Sequence, residues 1–127
     1  MTHATAHIGR DKYATRIDFG TRGLTADEPA ERGGSDAGPA PYELLLASLG
    51  ACTAITLRMY ADRKQWPLES VDVQLWLHGQ GETLRIERVL VLTGLDGEQN
   101  IRLVEIAEKT PVTLTLRNGV PIDTRLG

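Results

Sequence analysis

The run Pro41-Tyr42-Glu43-Leu44-Leu45-Leu46-Ala47-Ser48-Leu49-Gly50-Ala51-Cys52, continued by Thr53-Ala54-Ile55-Thr56-Leu57-Arg58-Met59-Tyr60-Ala61-Asp62-Arg63-Lys64, decides the fold. It reads as one long helix. Pro41 suits the first turn, where an N–H would have no intrahelical partner. Glu43 lies near the positive end of the helix dipole, and Arg63 and Lys64 lie near the negative end. Trp66-Pro67 stops the helix. Leu45, Leu49, Cys52, Thr56 and Met59 fall on one face, and Leu46, Thr53, Ile55 and Tyr60 widen the apolar surface, so this helix should be central. Gly50 and Ala51 remove bulk beside Cys52 and let another backbone approach it.

Outward from this helix, the flanking segments alternate in the manner of strands. Towards the N-terminus, residues 4–9 and 13–19 alternate about a Gly9-Arg10-Asp11-Lys12 turn, and a third short strand near Leu24–Ala26 ends at Asp27-Glu28-Pro29. Gly33, Gly34, Gly38, Pro39 and Pro41 make residues 29–41 a loop. Towards the C-terminus, Val71, Val73, Leu75 and Leu77 oppose Asp72, Gln74, Trp76 and His78. In 83–93, Leu84, Ile86, Arg88, Leu90 and Leu92 oppose Arg85, Glu87, Val89 and Val91, with Gly79–Glu82 as the hairpin connection. A second helix is expected over 97–109, ended by Thr110-Pro111. Two more strands follow, over 112–116 and 120–126, about an Arg117-Asn118-Gly119 turn. The order βββ-α-ββ-α-ββ is that of an α+β fold with antiparallel sheet.

The chain has 127 residues, one domain's length, and no internal repeat, so 1–127 is taken as a single domain. Its core must be aliphatic, since 41% of residues are hydrophobic and only 5% aromatic. A net charge of −3 with both signs interspersed lacks the clustered basic footprint of nucleic-acid binders. The single cysteine forbids an intramolecular disulfide and fits a reducing compartment. The N-terminal residues lack the basic and apolar regions of a signal peptide. No apolar run is read as approaching the roughly 20 residues of a membrane span. A cytoplasmic protein with no nucleic-acid or membrane partner is expected.

Cys52 is the residue on which chemistry turns. A free cysteine is most often buried packing. A reactive thiol needs a nearby cation or helix N-terminus, and Cys52 lies about three turns into its helix, beyond the reach of that helix's own dipole. An arginine from elsewhere must supply the field. Arg32 in the glycine-rich loop and Arg10 in the first turn are the candidates. His3 and His7 share a strand face at about 13 Å separation, too far to share a metal, and no metal or cofactor is expected. A Cys–His hydrolase would need a histidine to meet Cys52 in space. Gly33–Gly38 lacks the spacing and lysine of a phosphate loop and reads as a flexible connection. Asp27, Glu28 and Glu31 read as solvated loop charges.

The stretch Gly33-Gly34-Ser35-Asp36-Ala37-Gly38-Pro39-Ala40-Pro41-Tyr42-Glu43 through Cys52 resembles the signature of the OsmC/Ohr family, the osmotically inducible and organic-hydroperoxide-resistance proteins, in its OsmC-like branch. The resemblance runs on through Tyr60–Lys64, Leu95-Asp96-Gly97 and Ile106–Val112, and so covers essentially the whole chain. It implies an intertwined homodimer in which two central helices are wrapped by antiparallel sheets from both subunits. It also implies reduction of organic hydroperoxides by a cysteine thiolate, which becomes a sulfenic acid and is recycled by a second cysteine and an external dithiol. In that chemistry an arginine holds the thiolate charged and a glutamate orients the arginine.

Carried onto this chain, Cys52 matches the peroxidatic position. Arg32, nine residues before Pro41, stands where OsmC-type members place their arginine, and Arg10 resembles the arginine-bearing turn of the other branch. Glu43 stands one place after the family's usual glutamate, which here is Tyr42. Thr110-Pro111-Val112 replaces a frequent Cys-Pro-Val, and a threonine cannot close a disulfide. The implied activity is therefore a one-cysteine peroxidase recycled by an external thiol. The alternative is a non-catalytic dimer that binds a small hydrophobic ligand.

Overall fold

The expected long helix is present over Pro41–Lys64 (α1) in a computed structural model that describes residues 2–127. Two compact units are formed, one up to Leu45 and one from Leu46 onward.

The N-terminal unit contains an antiparallel sheet of Thr5–His7 (β1), Thr15–Phe19 (β2) and Arg22–Ala26 (β3), in the order β1-β2-β3. Its register sets Ala6 opposite Ile17, and Ile17 opposite Leu24. A single 3-10 turn, Ala30–Arg32, opens the loop before α1.

The C-terminal unit is built on a hairpin of Ser70–His78 (β4) and Arg85–Thr93 (β5), paired antiparallel with Val73 opposite Leu90 and Leu75 opposite Arg88. Burial alternates along both strands as expected, with Val71, Val73, Leu75 and Leu77 on one side and Ile86, Arg88, Leu90 and Leu92 facing the same interior. Gly97–Ala107 (α2) follows. Its start is specified locally: the Asp96 carboxylate accepts the Gln99 N–H at 2.8 Å and Gln99 Oε1 accepts the Asp96 N–H at 3.1 Å. Leu57 and Ala61 of α1, Leu68, and Leu103 and Ala107 of α2 form the core. Trp66, Val71, Leu90, Leu92 and Ile106 pack around them.

Three expectations are corrected. The first concerns which face of α1 is buried. Leu49, Thr53, Leu57 and Ala61 are buried, in a strict i, i+4 row, whereas Met59 and Ile55 are more than half exposed. A helix apolar on most sides has no face that its own sequence prefers, so the groups packed against it select the row. Thr53 is tolerated there because its hydroxyl donates to the Leu49 carbonyl at 2.7 Å.

The second concerns residues 111–126. Pro111–Asn118 is a helix (α3), not a strand, and Val120–Leu126 takes no regular structure. Thr110 in extended conformation followed by Pro111 is a helix start, and Val112, Thr113 and Leu116 fall on the covered side with helical spacing.

The third concerns α1 as a whole. A window of 18 residues has mean hydropathy 1.5, so α1 is long and apolar enough by composition to cross a bilayer, where no such segment was expected. Leu57 and Ala61 of its buried row are instead built into the core with α2 and the hairpin.

Candidate functional site

Cys52 is half-buried on α1, within the C-terminal unit. Its neighbours in the helix fix what lies beside it. A Cβ on Gly50 would meet Leu75 Cδ1 at 3.0 Å, so glycine at that position admits a side chain of β4 rather than a backbone. Thr53, fully buried, accepts a hydrogen bond from Arg88 Nη1 at 3.0 Å. Leu75 and Arg88 are themselves paired across the β4–β5 hairpin. Gly50, two residues before Cys52, and Thr53, one after it, thus each lie against one member of a single cross-strand pair.

Arg88 is the charged group of this site. Only 12% of its side chain is exposed. Its Nη1 donates to Thr53 Oγ1 and to Thr113 Oγ1 at 2.9 Å, and its Nη2 donates to the Ala107 carbonyl at 3.0 Å. The hydroxyls are used fully. Thr113 donates to the Ala107 carbonyl at 3.1 Å, so in its 2.6 Å contact with Thr110 the Thr110 hydroxyl must be the donor. The guanidinium is therefore seated on α1, α3 and the last turn of α2 at once.

Burial pushes the Arg88 guanidinium down from its ordinary range, and attraction from Glu108 opposes this. Arg117 lowers it further and Cys52 raises it, and the net direction is down. Glu108 Oε2 lies 3.9 Å from Arg88 Nη2, a charge contact beyond hydrogen-bond reach, and is also paired with Arg117. Glu108 is thus the carboxylate nearest the Arg88 guanidinium.

Sequence reasoning missed Arg88 as a site residue, although a signal was present. It occupies an inward position in the alternation Leu84, Ile86, Arg88, Leu90, Leu92. A charge there must be paired or hydrogen-bonded to be tolerated.

The other candidates lie in the N-terminal unit. Arg32 is the exposed last residue of the 3-10 turn, and Arg10 is exposed between β1 and β2. Glu43 accepts the Ala40 N–H at 3.0 Å and so closes the first turn of α1. Asp27, expected to be solvated, is 3% exposed. Its Oδ1 accepts the N–H groups of Tyr13 (3.1 Å) and Glu28 (2.7 Å), and its Oδ2 those of Ser35 and Ala37 (both 3.1 Å). The glycine-rich loop is consequently clamped and not a flexible connection. His78 Nε2 pairs with Glu87 Oε1 at 2.8 Å across the hairpin.

An open apolar groove of about 400 Å³ lies between β5 and α2, lined by Leu90, Val91, Leu92, Asn100, Ile101 and Val104. The Asn100 Oδ1 atom is buried without a hydrogen-bond partner among the described residues.

Residues 33–125 match the family model described as OsmC-like protein. No protein of curated function matches the chain. Solved structures do. An organic hydroperoxide resistance protein, OsmC, from Legionella pneumophila is 27% identical with a TM-score of 0.67, covering 92% of this chain and 89% of its own. An organic hydroperoxide resistance protein from Elizabethkingia anophelis is 24% identical with a TM-score of 0.72, covering 92% and 88%. An OsmC-like protein from Mycoplasma pneumoniae shares the fold at 17% identity and a TM-score of 0.74, covering 92% and 87%.

Proposed function

This chain belongs to the OsmC-like protein family, and we propose that it is a one-cysteine peroxidase acting on organic hydroperoxides, with Cys52 as the nucleophile. The observation that carries this is a free, partly exposed thiol on α1, next in the chain to Thr53, whose hydroxyl holds the buried guanidinium of Arg88. The Legionella and Elizabethkingia relatives, described as organic hydroperoxide resistance proteins, support the substrate class.

The thiolate sulfur attacks the terminal oxygen of R–O–OH. An S–O bond forms, the O–O bond breaks, and the alkoxide takes a proton to leave as the alcohol ROH. The peroxide is reduced by two electrons and the sulfur is oxidised to a sulfenic acid. Thr110 supplies no second thiol. An external thiol therefore condenses with the sulfenic acid, releasing water and leaving a mixed disulfide. A second molecule of that thiol exchanges with the mixed disulfide and restores Cys52. Arg32, and after it Arg10, is assigned the family's arginine role in steadying the thiolate, with Glu43 as the acidic residue nearest the family's position. A reducing, cytoplasmic setting fits a lone thiol that must be recycled from outside.

The working unit is a homodimer. Ile55 and Met59 of α1 and Ile101 and Val104 of α2 are apolar and exposed in the single chain at 55%, 59%, 64% and 48%. Ile101 and Val104 also line the β5–α2 groove. A second copy of the chain would bury it.

Stopped-flow oxidation with cumene hydroperoxide tests the activity. One equivalent of sulfenic acid, trapped by dimedone in the wild type and absent from Cys52→Ser, is expected. A wild-type rate no faster than free cysteine overturns the assignment.

A further inference from the structure

We infer that one buried charge orders the N-terminal unit in place of an apolar core, and that neutralising the Asp27 carboxylate releases the 10–13 turn and the 28–37 loop together. The carboxylate is a latch that acid opens. The inference stands apart from the peroxidase reading, although the two segments it concerns carry Arg10 and Arg32.

Three observations lead to it. The first is the composition of the interior. Among residues 2–45 only Ala26 and Asp27 are buried, and β1 is exposed throughout. The C-terminal unit, by contrast, closes on Leu57, Ala61, Leu68, Leu103 and Ala107. The second is convergence. Asp27 Oδ1 accepts the N–H groups of Tyr13 and Glu28, and Oδ2 those of Ser35 and Ala37, so one side chain joins the turn to the loop. The loop also closes on itself, with the Gly34 N–H on the Pro29 carbonyl and the Asp36 N–H on that of Glu28, both at 3.2 Å. Among the described residues no other hydrogen bond links the turn to the loop. The third is the kind of partner. All four groups on the carboxylate are donors. A charged carboxylate accepts from all of them, whereas a protonated one carries an O–H that must itself donate.

Protonation therefore breaks at least one of the four bonds in a place shut off from water, where an unmade bond is costly. No apolar core within the unit offsets that loss. Burial favours the neutral carboxyl, but the four N–H groups outweigh it and hold the group below its ordinary 3.8. The stabilisation is present above that value and is lost as pH falls through the folded one. No charged side chain contributes to the shift. The surrounding segments carry Lys12 and Tyr13 on the turn, Glu28, Arg32 and Asp36 on the loop, and Glu43 at the start of α1. Among the described residues none of these side chains bonds to the Asp27 carboxylate, which meets only backbone N–H groups.

The test is a titration of the full chain from about pH 7 to about pH 2, followed by amide proton–nitrogen correlation spectra. The resonances of Tyr13, Glu28, Ser35 and Ala37 are expected to move with one shared midpoint below 3.8, while that of Leu103 in the C-terminal core holds. In Asp27→Asn the four are expected near their acid positions already at neutral pH, and to titrate no further. Trypsin gives a second reading, because Lys12 and Arg32 place a cleavage site in each segment. Cleavage after both is expected to quicken about tenfold in Asp27→Asn at neutral pH, and not to change in Asp72→Asn, the same replacement at an exposed position of β4. Separate midpoints for turn and loop overturn the inference, as does collapse of the Leu103 resonance along with them. Faster cleavage after only one of Lys12 and Arg32 also overturns it. If Asp27→Asn does not fold, the wild-type titration decides by itself.

Discussion

The carboxylate of Asp27 accepts the backbone N–H of Ala37 at 3.1 Å, so one charge at the end of β3 holds a loop ten residues further along. Ser35 and Glu28 bond to the same carboxylate, as does Tyr13 from the turn beyond Arg10. Arg32 lies between Glu28 and Ser35. The segments that carry Arg10 and Arg32 are thus both tied to a single side chain, and neither of these arginines takes part in the tie.

This clamp has a pH signature. Burial pushes the Asp27 carboxyl up, but the N–H groups of Ala37, Glu28, Tyr13 and Ser35 together outweigh it, and the net shift is down from 3.8. A group depressed in the folded state stabilises above its unfolded value, and that stabilisation is lost as pH falls through the folded value. Asp27→Asn, which keeps one acceptor oxygen and puts an NH2 where the other was, should melt well below wild type at neutral pH. The gap should narrow as pH drops below about 4. Glu31→Gln, on the exposed side of the same loop, should not move the melting temperature. A gap independent of pH would contradict the clamp.

The clamped loop also depends on close backbone approach. A Cβ at Gly38 would run into the Thr25 carbonyl, and one at Gly34 into that of Glu28. Gly38→Ala should cost about 1–3 kcal/mol in urea unfolding. Gly97→Ala, where a Cβ meets open space, is the control and should be neutral or slightly stabilising. Equal effects at the two positions would show that the approach is not tight.

Thr113 carries the seat of Arg88. It accepts from Arg88 and Thr110 and donates to the Ala107 carbonyl. Thr113→Val keeps the volume and strands these partners in a buried place, at an expected cost of about 1–3 kcal/mol. Thr115→Val, on the exposed side of α3, should stay within about 0.5 kcal/mol. Chemical denaturation of both variants decides the point. A loss at Thr113 no larger than at Thr115 would remove the network from the stability of this unit.

The apolar surface left uncovered on α1 predicts self-association. Light scattering at micromolar concentration should give twice the 13.9 kDa chain mass for the wild type and the single mass for Ile55→Glu/Met59→Glu. The double variant should keep its helical circular dichroism, because both side chains are more than half exposed in the single chain. A monomeric wild type would exclude the dimer.

Local chemistry was enough to determine α1, the β4–β5 hairpin and α2. Pro41, Glu43 and Trp66-Pro67 mark the bounds of α1 in the chain itself, and a two-residue alternation can bury only one face of a strand. The position of Cys52 on α1, within a family motif, could be read in the same way. Residues 112–116 alternate as a strand does, yet form a helix. Thr110 and Pro111 start it, and burial of Thr113 under Arg88 rewards the helical spacing.

Tertiary structure alone decided three things: which row of α1 is buried, that Asp27 is a clamp, and that Arg88 is a buried cation bonded to Thr53, the residue after Cys52. Each depends on groups far apart in the chain. Arg88 meets Thr53 across 35 residues and Thr113 across 25. Asp27 meets Tyr13 across 14. A buried charge is tolerated only where such distant donors and acceptors converge, and periodicity in the sequence carries no record of that convergence.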